Sequence, residues 1–180
     1  MKDLSMHILD IAQNSVRAKA SLVQINIVER GEIFRIEVID DGCGMSEETL
    51  KKVTDPFFTS RTTRKVGLGI PLIKQNAEQT GGFVKLDSKV GEGTRFKAEF
   101  GRYHIDRPPI GDLPGTMALL ISGNTGLDFV FTYTNEQKSY SLDSREVKEI
   151  LGDVDIRTPR VVSFLQEMIN DNLIEIGVEF

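Results

Sequence analysis

A chain of 180 residues, 39% hydrophobic and 27% charged, has the composition of a globular protein with one domain, or one medium domain and a small second one. No apolar run approaches the roughly 20 residues of a membrane span, the N-terminus lacks the apolar core of a signal peptide, and the single cysteine, Cys43, excludes an internal disulfide or a multi-cysteine zinc site. Residues 1–100 carry 15 basic against 14 acidic side chains and residues 101–180 carry 7 against 13. Neither part has the basic excess of a nucleic-acid binder, so a cytoplasmic protein with no membrane or nucleic-acid partner is expected.

Residues 3–19 read as a helix with two faces. Leu4, Ile8, Ile11, Ala12 and Ser15 fall on one side, and His7, Asp10, Asn14 and Arg17 form a stripe on the other. Such a stripe is either a solvated surface or a row suited to a metal-bound triphosphate. An Asn oxygen can ligate Mg²⁺, and an Arg can contact phosphate. Residues 21–28 and 32–39 alternate as two strands around Arg30-Gly31, a hairpin pattern that delivers Asp40 at the end of the second strand. Gly42 and Gly44 would let the backbone approach a flat base, although Asp-Gly is also an ordinary turn.

Ser46 caps a short helix with Glu47 and Glu48 in its first turn. After Pro56-Phe-Phe-Thr-Ser60 come Arg61, Arg64 and Lys65, either a solvated loop or a lid whose cations fold over phosphates, with Gly67 and Gly69 as hinge. Residues 68–82 read as a helix ended by Gly81-Gly82, and its N-terminus after Gly67-Leu68-Gly69 is a candidate anion site. It is not a Walker loop, because no Lys-Ser/Thr follows the glycines. Residues 83–87 and 95–100 are two more strands around Gly91-Glu-Gly93, and Thr94 opens the second with a hydroxyl for a buried carboxylate or base.

Three prolines in residues 107–115 mark a stiff linker. Beyond it, residues 117–122 and 127–134 flank Gly123-Asn-Thr-Gly126 and read as a second hairpin, with Phe129, Phe131 and Tyr133 on one packed face. A short strand at 139–142, a helix capped by Asp143, a second helix begun at Thr158-Pro159 and a final strand at 174–180 complete a small α+β unit that folds alone or docks on what precedes it.

With Asn14 in Asp10-Ile-Ala-Gln-Asn-Ser-Val-Arg-Ala18, Asp40-Asp-Gly-Cys-Gly44, Pro56-Phe-Phe-Thr-Ser60, Gly67-Leu-Gly69 and Gly91-Glu-Gly-Thr94 in this order, residues 3–100 resemble the ATP-binding domain shared by gyrase, heat-shock chaperones, histidine kinases and MutL. The resemblance implies an α+β fold, a two-layer α/β sandwich with a mixed, largely antiparallel sheet (the Bergerat fold). Residues 1–104 would form this domain, 105–115 the Pro-rich linker and 116–180 a small α+β interaction or regulatory module. It further implies that ATP and Mg²⁺ are bound: Asn14 as the metal ligand, Asp40 accepting the adenine amino hydrogen beside Gly42 and Gly44, and Thr94 assisting through water. Arg17, Arg61, Arg64, Lys65 and the Gly67, Leu68 and Gly69 backbone would hold phosphates.

Two departures bear on activity. No phosphoacceptor hairpin is expected ahead of residue 1, and His7, on the nucleotide-binding helix itself, is expected in a supporting or surface role, as is His104 on the surface. Asp10 stands where hydrolysing members and anti-sigma-factor kinases of the family carry a Glu general base, one methylene longer. It either activates water or a hydroxyl or orders metal-bound water, and the short lid implies slow turnover without a partner. Three functions remain open: a slow Mg-dependent ATPase or nucleotide-dependent switch acting on a partner protein, a kinase of the anti-sigma-factor type, and a non-hydrolysing ATP sensor.

Overall fold

The computed structural model describes residues 3–54 and 69–180. Helix α1 (Leu4–Arg17) leads into the hairpin β1 (Leu22–Arg30) and β2 (Ile33–Asp40), followed by α2 (Glu47–Thr54), α3 (Gly69–Gln79), β3 (Phe83–Lys89) and β4 (Gly93–Gly101). The remainder comprises α4 (Leu113–Gly123), β5 (Asp128–Thr134), β6 (Ser139–Asp143), α5 (Ser144–Leu151) and α6 (Pro159–Glu175). All six strands lie in one sheet in the order β3-β4-β2-β1-β5-β6. Four pairings are antiparallel, and β1 with β5 is parallel. This mixed, largely antiparallel α+β architecture is the expected fold class.

The period-two alternation in the strands puts every second side chain on the helix side. Val23, Ile25, Ile27, Phe34, Ile36, Val38, Phe96, Ala98 and Phe100 are buried there, joined by Phe129, Phe131 and Tyr133 of β5. On the opposite face the register sets charges side by side. Arg95 Nε contacts Glu37 Oε1 (2.8 Å), Arg35 Nε contacts Glu99 Oε1 (3.2 Å), and Lys97 Nζ contacts the same oxygen (2.8 Å). That face is therefore a wet one.

Helix α1 is held at both ends. Asp3 caps it by accepting from Met6 N–H, and the N–H groups of Leu4 and Ser5 donate to the carbonyls of Pro109 and Ile110 at 2.9 Å. Its apolar stripe (Leu4, Ile8, Ile11, Ala12) is buried as expected. The other stripe is not a free surface, because α3 packs over its first turn and buries His7 against Asn76. His7 was expected in a supporting or surface role; the structure places it inside.

The C-terminal part of the chain extends the same sheet, β5 pairing with β1 from Leu22–Asp128 to Val28–Thr134. At the far end of this seam Tyr133 Oη donates to Glu29 Oε2 (2.7 Å) and Arg102 Nε donates to Glu29 Oε1 (3.0 Å). Gly31 N–H donates to Glu136. Burial and the Glu29 carboxylate raise the Tyr133 pKa far above that of free tyrosine.

Two local expectations fail. Residues 117–122, read as the first strand of a hairpin, are the body of α4, whose first turn takes Leu113-Pro114-Gly115 from the expected linker. Asp112 caps that helix by accepting from Gly115 N–H (2.8 Å), and Pro114 in the first turn lacks only an N–H that would have no partner there. The expected final strand at 174–180 is also absent: α6 runs to Glu175 and no strand follows. No helix among the described residues is long and apolar enough to cross a membrane.

Candidate nucleotide site

A cavity of about 290 Å³ opens at the sheet end where α1 and β2 finish and β4 begins, at the lower edge of the roughly 300–1,000 Å³ usual for small-molecule sites. Its walls are largely apolar, including Ile11, Val38, Met45, Val53, Ile70, Leu86 and Phe96. Asn14, Ser15, Arg17, Asp40, Cys43, Gly44 and Thr94 supply its polar and backbone lining. Of the expected site residues, Asn14, Arg17, Asp40, Gly44 and Thr94 thus meet in one place.

Asp40 is the polar centre. It is 9% exposed. Oδ2 accepts from Ser15 Oγ (2.6 Å) and Oδ1 from Gly42 N–H (2.9 Å). Hydrogen bonds to a charged group contribute about 1.5–3 kcal/mol each, so two elements orient this carboxylate before any ligand arrives. Each carboxylate oxygen has a second lone pair for a ligand donor. Ser15, read from the sequence as part of the apolar face, is one residue that sequence reasoning missed. A serine amid buried apolar positions needs a partner, and that need was its signal.

Thr94 faces Asp40 across β4 and β2, but its proton goes elsewhere. Ser88 Oγ accepts from Met45 N–H (2.9 Å) and donates to the Gly93 carbonyl (2.9 Å). Its single proton being used, the 2.9 Å contact between the Ser88 and Thr94 hydroxyls is Thr94 donating to Ser88. Thr94 Oγ1 therefore presents lone pairs to the cavity beside the carboxylate. Ser88, also unforeseen, fixes that polarity.

The loop after β2 is clamped between two others. Cys43 N–H donates to the Ala18 carbonyl (2.9 Å) and the Cys43 carbonyl accepts from Gly91 N–H (2.8 Å). Gly44 has φ +64, and a Cβ there would stand 1.9 Å from the Lys89 carbonyl oxygen; at Gly93, φ +93, one would stand 1.9 Å from the Asp40 carbonyl oxygen. Gly44, one of the two glycines expected to admit a flat base, thus admits the protein's own backbone, and at Gly42 a Cβ would stand 2.8 Å from the Ala18 Cβ. Neighbouring Asp41 accepts from Ser21 N–H and Oγ–H and from Leu22 N–H. The Ser21 hydroxyl, with those amides, holds its pKa below the usual carboxylate range.

The stripe expected to hold metal and phosphate is partly in place. Arg17 Nη1 donates to Asn14 Oδ1 (3.0 Å), and both side chains line the cavity mouth. Asp10 lies one turn before Asn14, outside the lining, with Oδ2 buried and without a hydrogen-bond partner among the described residues. A neutral amide oxygen at the cavity and an unpartnered carboxylate oxygen one turn away suit a hard cation with phosphate. No group of three or more His, Cys, Asp or Glu among the described residues is arranged to cage a metal by itself. Gly69 begins α3 and is buried. Arg61, Arg64, Lys65, Gly67, Leu68 and the Pro56–Ser60 block lie outside the described residues.

Comparison with known proteins agrees with this fold. The sensor kinase CckA of Brucella abortus (strain 2308) is 29% identical over 174 residues, covering 83% of this chain and 18% of CckA. The probable C4-dicarboxylate sensor kinase of Bacillus subtilis (strain 168) is 30% identical over 86 residues, covering 48% of this chain and 16% of the relative. The chain thus spans less than a fifth of either relative's length. The crystal structure of the N-terminal domain of a DNA repair protein superposes with a TM-score of 0.57 at 14% identity, over 87% of this chain and 59% of that one, a likeness of fold alone. The model of the histidine kinase-, DNA gyrase B- and HSP90-like ATPases matches residues 2–103, more than half the chain, and the chain belongs to that family.

Proposed function

We propose that the cavity binds ATP with Mg²⁺ and that the chain is a slow ATPase whose nucleotide state is read by a partner protein. The observation that carries this is the Asp40 carboxylate, fixed by Ser15 and Gly42, with Thr94 of the neighbouring strand lining the same cavity as a second acceptor because its hydroxyl proton goes to Ser88. Two acceptors in an apolar slot suit the exocyclic amino group of adenine and disfavour the carbonyl that guanine presents there. Asn14 would hold Mg²⁺, which neutralises phosphate charge. Arg17 would leave Asn14 for phosphate, and the cations at 61, 64 and 65, with the backbone of Gly67, Leu68 and Gly69, would complete the phosphate contacts. Asp10 then accepts the proton of a water as its oxygen bonds the γ-phosphorus and the bond to the β–γ bridging oxygen breaks, giving ADP and phosphate.

Within this reading residues 1–104 are the nucleotide-binding part and 116–180 the partner-facing part. The latter, with the large exposed apolar side chains Ile150 and Phe164, is acidic, which argues against a nucleic-acid partner. The protein acts in the cytoplasm, where ATP is supplied. Incubation with Mg²⁺ and γ-labelled ATP tests the proposal: labelled phosphate should appear over hours and be lost in Asp10→Asn. Nucleotide binding without release would make the chain a sensor instead, and no binding at all would remove the site assignment.

A further inference from the structure

His7 and Asp10 occupy consecutive turns of α1, and each holds a buried polar atom that the fold leaves unmatched. His7 is 1% exposed beneath α3, with Asn76 Nδ2 at 3.2 Å from Nε2. An amide N–H donating there leaves the ring proton of a neutral imidazole on Nδ1. Burial lowers the His7 pKa, against the opposing pull of the Asp10 and Asp3 carboxylates, so the ring is neutral near pH 7. Its Nδ1 has no partner among the described residues, and neither does Asp10 Oδ2.

A buried donor or acceptor left unmade costs about 1–3 kcal/mol. Helix positions three apart are neighbours, about 5–6 Å between Cβ atoms, so this donor and this acceptor stand on one helix face, where a hydrogen bond between them would remove both penalties. We propose that His7 is a positioning residue for Asp10: with nucleotide bound, His7 Nδ1–H holds Asp10 Oδ2 and turns the other carboxylate oxygen toward the water or hydroxyl to be deprotonated. Asn76 fixes the tautomer that makes this possible. Because Asn76 belongs to α3 (Gly69–Gln79), the arrangement links that helix to the base. The inference rests on the reading of Asp10 as base.

The chain has two histidines, so long-range ¹H–¹⁵N NMR resolves two imidazole rings, and His104→Ala assigns them. The His7 ring should be the neutral Nδ1-protonated tautomer, with an Nδ1 resonance that moves on adding Mg²⁺ and a non-hydrolysable ATP analogue and does not move in Asp10→Ala. An Nδ1 resonance that responds identically with and without Asp10 overturns the proposal. In turnover, His7→Gln, whose amide nitrogen falls near Nε2, should lower kcat by about tenfold or more at unchanged KM. His7→Asn, whose amide nitrogen falls near Nδ1, should stay within about threefold of the parent; equal losses in the two variants refute the role. A chain that binds ATP and never releases phosphate defeats the hydrolytic reading alone, and the NMR response still decides this one.

Discussion

Asp40→Asn is the most direct probe of the site, because the structure dictates how the new amide must sit. Gly42 N–H can only donate, whereas the Ser15 hydroxyl can donate or accept. The asparagine oxygen therefore stays on Gly42 and its NH₂ turns to Ser15, which rotates to accept. The fold keeps both contacts, but the ligand's amino group now meets a donor on one side and a neutral, already engaged oxygen on the other. Loss of a hydrogen bond to a charged group, about 1.5–3 kcal/mol, corresponds to a roughly 10–150-fold weaker ATP affinity, with little change in thermal stability.

Cys43 provides the assay. It is the chain's only cysteine, it is exposed, and it lines the cavity, so its alkylation rate against ATP concentration yields a dissociation constant without a labelled ligand. Wild-type alkylation should be slowed by ATP and by ADP, and less by GTP. A folded Asp40→Asn protein that protects Cys43 at the same ATP concentration as wild type would refute the assignment of Asp40 to the base.

Two further expectations concern the scaffold. Gly93→Ala should destabilise by about 2–4 kcal/mol in urea unfolding, because its Cβ would meet the Asp40 carbonyl at 1.9 Å, whereas Gly31→Ala, with open space around it and only its φ of +53 to oppose it, should cost about 1–2 kcal/mol. Asp41, held below the ordinary carboxylate pKa first by Ser21 Oγ–H, contributes stability that is present above the unfolded value, about 4, and lost as pH falls through the lower folded value. Acid titration of Asp41→Asn should accordingly show a shallower loss of stability below about pH 4, and an unchanged acid limb would refute the linkage.

Much of the site was legible because its residues follow strict local patterns. The alternation of β2 ends on Asp40, and the four-residue step from Asp10 to Asn14 sets one turn of helix. What the sequence hid was set by packing from distant segments. His7 looks solvent-facing until α3 covers it, and Ser15 looks like filler in an apolar stripe until Asp40 arrives from β2. The α4 segment Met-Ala-Leu-Leu-Ile-Ser is buried nearly all round, so it lacks the polar face that marks a helix, and an all-apolar run reads equally as a buried strand. The decisive clue was Asp112 followed by Pro114, which the proline count turned into a linker. At the C-terminus, Ile174 and Ile176 alternate as a strand would, yet the turn that ends α6 makes the same pattern.

The parallel pairing of β1 with β5 has a consequence during synthesis. Tyr133 bonds Glu29 across 104 positions of the chain, so the inner edge of β1 stays bare after β2, β3 and β4 have emerged and paired. At about 5–20 residues per second, that edge stands open on the ribosome for roughly 5–20 s before its neighbour is made. It carries unpaired amides beside Val23, Ile25 and Ile27, the kind of edge that recruits strands from other chains. The vulnerable moment for this protein is thus its translation, and a slowed ribosome between codons 30 and 134 should lower soluble yield more than a slowed ribosome elsewhere.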